Sequence, residues 1–303
     1  MKLGFSLPIA GAWATPENQV RVAQHAEALG YHSLWTFQRL LYAIEPQNDY
    51  PPYAGQPWPE AFRRVVDPIV TLAYVAAVTR RIRLGISVLI MPFYSPAMLA
   101  KQLATLDHCC GGRLDVGLGI GWSKDELEAV GVPYRERGRR GDEFMRCLKA
   151  IWTQDVAEFH GEFYQLPRSL IEPRPVQQPH PPITFGGYGS AAVRRAVALA
   201  DGFMGGNVPL VEVEPLVAEL KTAAQAAGRD VASLQIVARG TFRLYDTPQG
   251  EGRRPLWGTV DEIREDLDLY RQAGLTELFL EANFDPEMTL ERALDAMTRL
   301  APA

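Results

Sequence analysis

Two glycine-rich runs carry the clearest chemistry in this chain. Gly186-Gly187-Tyr188-Gly189-Ser190 stands between an apolar run, Pro182-Ile183-Thr184-Phe185, and a segment of helical spacing that reaches Ala200. A glycine-rich turn feeding a helix N-terminus offers free backbone N–H groups and the positive end of a dipole, which suits a phosphate. A tight turn without a ligand has the same composition; phosphate is preferred because α/β barrels often hold one near their later strands. No Gly-x-Gly-x-x-Gly opens a βαβ unit, so the dinucleotide fingerprint is missing. The second run, Gly117-x-Gly119-x-Gly121, leads into Trp122. Its glycines either let the chain pass close to a flat ligand or turn it at a strand end. Trp122 is placed either to wall a planar ring or to fill core.

Other candidates sit where apolar runs end. Ser87-Val88 closes Ile82–Leu89, where an all-buried strand would carry another aliphatic residue. A hydroxyl there either meets a ligand or bonds the loop, and Gly85 weakens the strand unless something approaches it closely. Arg39 is a fixed cation with a fork of donors. It suits a substrate carboxylate or a cofactor carbonyl, or a salt bridge to the acidic helix nearby. Gln38 adds a neutral donor and acceptor, and Leu7 and Arg243 close two further runs. The five histidines, His25, His32, His108, His160 and His180, avoid these ends, which argues against a His-ligated metal or a Ser-His-Asp triad. Paired carboxylates at the ends are also missing, unlike a glycosidase. A redox cofactor would supply the difficult chemistry and leave the protein to position it.

The elements that must hold these residues alternate. Apolar strand patterns fall at Leu3–Leu7, Ser33–Phe37, Ile82–Leu89, Arg113–Gly121, Pro182–Gly187, Gly202–Gly206, Leu234–Leu244 and Glu277–Glu281. Helical patterns follow each of them, several opened by a cap and a proline, as in Thr15-Pro16, Asp67-Pro68 and Ser95-Pro96. Eight strand–helix units predict a (β/α)8 TIM barrel with insertion loops, as one domain over residues 1–303. Two insertions stand out. Residues 40–66 are long and aromatic, with Tyr42, Tyr50, Tyr53, Trp58 and Phe62. This is expected to be a loop folded over something, since its aromatic content argues against disorder. Val156–Tyr164 reads as a surface hairpin and Pro167–Pro182, with six prolines, as an extended connector.

Composition limits the partners. Lys and Arg number 31 against 36 Asp and Glu, a formal charge of −5, so no clustered basic face points to nucleic acid. The N-terminus lacks a signal-peptide pattern, and no apolar run is long enough for a bilayer. A cytoplasmic protein without a membrane partner is expected. Cys109, Cys110 and Cys147 have no metal-ligand spacing and read as small apolar residues.

Several stretches together resemble the bacterial luciferase-like monooxygenase superfamily, and more closely its actinobacterial branch of coenzyme F420-dependent oxidoreductases. They are Ser33-Leu34-Trp35, residues 67–77, residues 81–89, Ser95-Pro96-Ala97, residues 111–122, Gly186-Gly187 and Ala200-Asp201-Gly202. The resemblance implies a flavin or deazaflavin ring across the strand ends. It implies a non-prolyl cis peptide at Ser87-Val88 backing that ring, and cofactor phosphate at Gly187–Ser190. The acidic tail of F420 would call for basic residues nearby, and Arg194 and Arg195 follow. Leu7, Gly119 and Gly186 would complete the cofactor site; Gln38, Arg39 and Trp122 would orient the ring edge or substrate. Tyr42, Tyr53, Trp58 and Arg243 would form the substrate pocket. Where sugar-phosphate dehydrogenases of this family carry a His after the second strand this chain has Arg39, and in place of their Glu after the fourth it has Trp122. The proton donor is therefore unassigned. The expected function is hydride transfer between F420 and a small organic substrate, in a homodimer. The alternatives are a two-component monooxygenase using FMNH2 from a reductase partner, and an inactive flavin-binding barrel.

Overall fold

The computed structural model describes residues 1–51 and 54–302. Among these, eight parallel strands close into a barrel: β1 (Lys2–Ser6), β2 (Ser33–Thr36), β3 (Arg83–Ile90), β4 (Leu114–Gly119), β7 (Ile183–Gly186), β8 (Gly202–Gly205), β9 (Gln235–Thr241) and β12 (Glu277–Glu281). Two small sheets lie outside it, the antiparallel hairpin β5 (Ala157–His160) and β6 (Gln165–Ser169) and the parallel pair β10 (Arg243–Leu244) and β11 (Trp257–Gly258). Each barrel strand pairs with the next barrel strand in the chain, and β12 returns to β1. The helices are α1 (Pro16–Ala28), α2 (Pro68–Ala76), α3 (Pro96–Cys109), α4 (Lys124–Ala129), α5 (Arg137–Thr153), α6 (Ser190–Leu199), α7 (Leu210–Ala226), α8 (Val260–Gln272) and α9 (Leu290–Arg299). This is the (β/α)8 barrel expected from the alternation. No helix among the described residues is long and apolar enough to cross a membrane.

The reasons are local. β2, β4 and β12 are buried along their whole length, as strands covered on both faces must be. Thr15, Asp67 and Ser95 each accept an N–H from the third residue of the helix they open, with proline in the first turn. Thr259 and Glu262 form a reciprocal capping box on α8.

Three boundaries differ from the sequence reading. The strand expected over 234–244 leaves the barrel at Thr241, and Arg243-Leu244 pairs with Trp257-Gly258 instead. The hairpin falls later than 156–164, because the Glu143 carboxylate accepts the N–H groups of Glu162, Phe163 and Tyr164 and so makes those residues the turn. Helix α4 was hidden by its length of six residues. Of the cysteines, Cys110 and Cys147 are buried and Cys109 is exposed.

Inside the barrel, Trp35 stacks on Phe279 with centroids 5.2 Å apart, and Met204, Val237 and Val88 pack around the pair. A Cβ on Gly85 would lie 2.4 Å from the Trp35 ring, so the indole is what approaches that strand glycine. Beneath it the core turns polar. Trp35 Nε1 donates to Glu277 Oε1 at 2.9 Å, and Ser33 Oγ donates to the same oxygen. Arg83 forks onto both oxygens of Asp115 at 2.6 and 2.7 Å.

His32 borders this network. Burial, with Lys2 adding to it, pushes its imidazole down to about 4, and its Nε2 lies 3.9 Å from Glu277 Oε2 and makes no hydrogen bond. The folded chain holds His32 neutral where the unfolded chain, with an ordinary value near ~6.5, would protonate it. Its contribution is therefore complete above ~6.5 and lost as pH falls through about 4, with an upper bound of about 3 kcal/mol. Denaturant unfolding at a series of pH values should show this loss in the wild type, and a smaller one in His32→Gln.

Candidate active site

A cavity of about 450 Å³ opens at the carboxyl ends of the barrel strands, a size typical of small-molecule sites. Its floor is Val88. β3 slips its register against β4 between Ile86 and Leu89, and the Ser87–Val88 peptide is cis. The Val88 side chain lies in room left by the neighbouring strands. A Cβ at Gly119 would come within 2.6 Å of its Cγ2, and one at Gly186 within 2.6 Å of its Cγ1. The glycine-rich strand ends are thus occupied by a protein side chain, which presents an apolar surface to the cavity.

On one side is the turn into α6. Gly189 adopts φ of +72°, no side chain caps the first turn, and a Cβ on Gly187 would meet Ala192 at 2.7 Å. Gly187 and Tyr188 line the cavity, while Gly189 and Ser190 set the helix start behind them. Arg195 also lines it, with Nε 2.6 Å from Asp142. So does Arg137, stacked 3.6 Å from the Tyr134 ring centroid. Arg194 points away and is exposed.

On the other side, Gln38 is buried with both ends of its amide engaged: Oε1 accepts from Ile90 N at 2.8 Å, and Nε2 donates to the Tyr94 hydroxyl. It fixes the end of β3. Burial pushes Tyr94 up to about 12, so its phenol stays protonated. Arg39 Nη1 lies 3.1 Å from Glu126 Oε2, the salt bridge to the acidic helix, and its guanidinium covers the Trp122 ring at 4.7 Å. Burial lowers the Arg39 pKa and Glu126 raises it, with a net lowering. Glu126 also accepts Leu40 N at 2.6 Å.

The loop after β2 is bound to α4 through Glu126, through Asp125 to Gln47 N, and through Asn48 to Lys124 N and Trp122 O. That places Tyr50 and Phe62 in the wall, with Tyr50 tilted on Trp122 at 5.0 Å. Tyr42 and Trp58 stand one layer back, Trp58 edge-on to Trp122 at 4.9 Å. Tyr53 lies outside the described residues.

Two further expectations are relocated. Leu7 is fully buried in the core and does not line the cavity, its carbonyl accepting from Asn283 Nδ2 at 2.9 Å. Arg243 pairs with Asp285 at 3.0 Å in a separate, smaller cavity, because β9 has already ended. In their place the cavity takes Tyr50, Phe62 and Arg239. Arg239 was not singled out in the sequence; a charge inside an otherwise apolar strand pattern is the signal that marks it. The cavity is lined by Arg39, Arg137, Arg195 and Arg239, and, among the described residues, by no Asp, Glu, His or Lys.

Comparison with known proteins agrees with the fold. The profile of the luciferase-like monooxygenase family matches residues 1–250. An FMNH2-dependent dimethylsulfone monooxygenase of Pseudomonas putida is 37% identical over 179 residues, 57% of this chain and 49% of that protein; the match spans about half of its length. The crystal structure of the monooxygenase RslO1 from Streptomyces bottropensis superimposes with TM-score 0.82 at 25% identity, covering 99% of this chain and 98% of that one. An F420-dependent secondary alcohol dehydrogenase, solved with an F420–acetone adduct, gives 0.79 at 15% identity over 99% and 97% of the two chains, a likeness of fold.

Removing Glu126 would leave Arg39 buried without its partner. Glu126→Ala is expected to cost about 3–5 kcal/mol, measured by denaturant unfolding, and to admit protease to residues 40–66 at concentrations that spare the wild type.

Proposed function

The chain belongs to the luciferase-like monooxygenase family, and on that premise we propose that it is a redox enzyme holding a flavin-type ring on Val88. The observation that carries this is the glycine-bracketed Val88 surface facing the uncapped start of α6 across one cavity. A flat ring fits on top of Val88, whose side chain fills the room that the glycines at 119 and 186 leave. A phosphate fits at Gly187–Ser190, where first-turn N–H groups and Arg195 meet it. When bound, the cofactor supplies the hydride or electron chemistry.

The protein's share is positioning and exclusion of water. Val88 supports the ring from below. Tyr50, Phe62 and Trp122 shut off one side with apolar surface, which strengthens every polar contact within. The guanidiniums keep the site positive at all working pH values.

The reading we place first is hydride transfer between F420 and a small organic substrate. Arg137 and Arg195 at the phosphate side favour it, since they suit a polyanionic tail. A second reading, oxygen insertion with FMNH2 delivered by a reductase, is favoured by the sulfone monooxygenase relative. It is favoured too by a lining without a carboxylate or imidazole to move a proton. A soluble homodimer acting on a small organic molecule is proposed in either case.

Titration of the purified protein with oxidised F420 and with FMN, followed by quenching of tryptophan fluorescence, separates the two. Saturable binding of F420 with FMN at least ~10-fold weaker is expected on the first reading, and the reverse order sinks it. Gly119→Leu should weaken the preferred cofactor at least ~10-fold by driving Val88 out of place. Unchanged affinity in that variant removes the Val88 support from the proposal.

A further inference from the structure

Arg239 has no role in holding the ring or the phosphate as argued above, yet it brings a charge from a barrel strand into the cavity wall, with an Nε that makes no hydrogen bond. It sits on β9, is partly exposed and lines the cavity; burial works against its charge, and Tyr50 and Glu281 more than offset that. A buried guanidinium is retained in proteins when a carboxylate or another anion faces it. Among the described residues, no carboxylate oxygen comes within 4.0 Å of it. What it has instead is the Tyr50 hydroxyl, which accepts from Nη2 at 3.0 Å, and the Phe284 ring 4.9 Å from Cζ. Its Nε is buried without a hydrogen-bond partner. Glu281 contributes to the field around Arg239 from farther away, and burial raises the pKa of its carboxyl. Its Oε1 already accepts Asn283 N and Nδ2 at 2.8 and 2.7 Å.

Arg39 repeats the pattern more mildly. Its side chain is 5% exposed, and its Nη1 approaches Glu126 without making an aligned hydrogen bond. Both guanidiniums lie against aromatic faces, Arg239 on Phe284 and Arg39 on Trp122 and Phe62. A stacked guanidinium keeps its donors in its own plane, aimed sideways and pre-organised. Tyr50 joins the two, bonded to Arg239 and packed on Trp122.

We propose that Arg39 and Arg239 bind an anionic group of the substrate, a carboxylate or sulfonate on a small, largely apolar molecule. This rests on the reading of the cavity as a substrate site and names the class of substrate. The anion supplies the partner that Arg239 lacks, through charge-assisted hydrogen bonds of the fork type. The aromatic wall takes the apolar remainder. Neutral isosteres would leave the guanidinium without an anionic partner, which is how polar sites reject analogues most strongly.

The same two cations could instead answer negative charge on a reduced cofactor ring, so the test has two arms. In the first, benzenesulfonate and its neutral counterpart methyl phenyl sulfone are titrated calorimetrically into the protein without cofactor. Benzenesulfonate is expected to bind at least ~10-fold more tightly. Arg239→Gln should abolish that preference, and Arg239→Lys should retain part of it. Equal affinity for the two ligands in the wild type, no binding of benzenesulfonate, or an unchanged preference in a folded Arg239→Gln protein would each overturn the proposal. In the second arm the benzenesulfonate titration is repeated with saturating reduced FMN or reduced F420. Unchanged or tighter binding supports the substrate assignment. Competition assigns the arginines to the cofactor and overturns it. Because the first arm contains no cofactor, failure of cofactor binding and failure of anion binding are separate results.

Discussion

The mouth of this barrel is held by one carboxylate. Glu126, on a helix of only six residues, meets Arg39 at 3.1 Å and takes the backbone N–H of Leu40. Those contacts set where the chain goes after β2, and hence where Tyr50, Phe62 and Trp58 stand. They also make it tolerable to bury a guanidinium beside Trp122, since a buried charge needs a partner close by. Without that anchor the loop would keep its tethers at Gln47 and Asn48 but lose the one at its start, beside Arg39.

The other wall depends on steric room. Val88 projects only because β4 and β7 carry glycine where it passes, at Gly119 and Gly186. Gly85 serves a different neighbour, the Trp35 indole in the layer below. Three glycines near one strand thus serve two stacked purposes, a filled barrel interior and a surface above it on which a flat molecule can lie. The polar network under Trp35 closes the far end with Glu277, Ser33 and the Arg83–Asp115 pair. The site therefore opens toward the strand ends only.

Much of this was legible in the sequence. Strand runs such as Glu277–Glu281 and helix starts such as Thr15-Pro16 are local signals, and local signals predict local structure. The glycine-rich runs, Ser87-Val88, Arg39 and Trp122 were found because they fall at strand ends, where a barrel displays its chemistry. What escaped depends on distance. Arg239 and Tyr50 meet although 189 residues apart, and no window of sequence contains both. Tyr42 and Trp58 share the aromatic character of Tyr50, so composition could not rank the three; only the path of the tethered loop does. Arg243 was misplaced by two residues of strand length, enough to carry it into another cavity beside Asp285.

The tether between residues 40–51 and α4 runs mostly through side chains to backbone: Glu126 to Leu40 N, Asp125 to Gln47 N, and Asn48 to Lys124 N and Trp122 O. The bonds to Leu40 N and Gln47 N take loop backbone and do not depend on the loop's side chains; of the loop's own side chains this tether needs Asn48. The loop and its short helix can therefore drift together in sequence, exchanging aromatic residues for others, while Val88 and the start of α6 stay where they are. The barrel can in this way acquire a new clientele of molecules by revising one segment, without rebuilding the floor of the cavity.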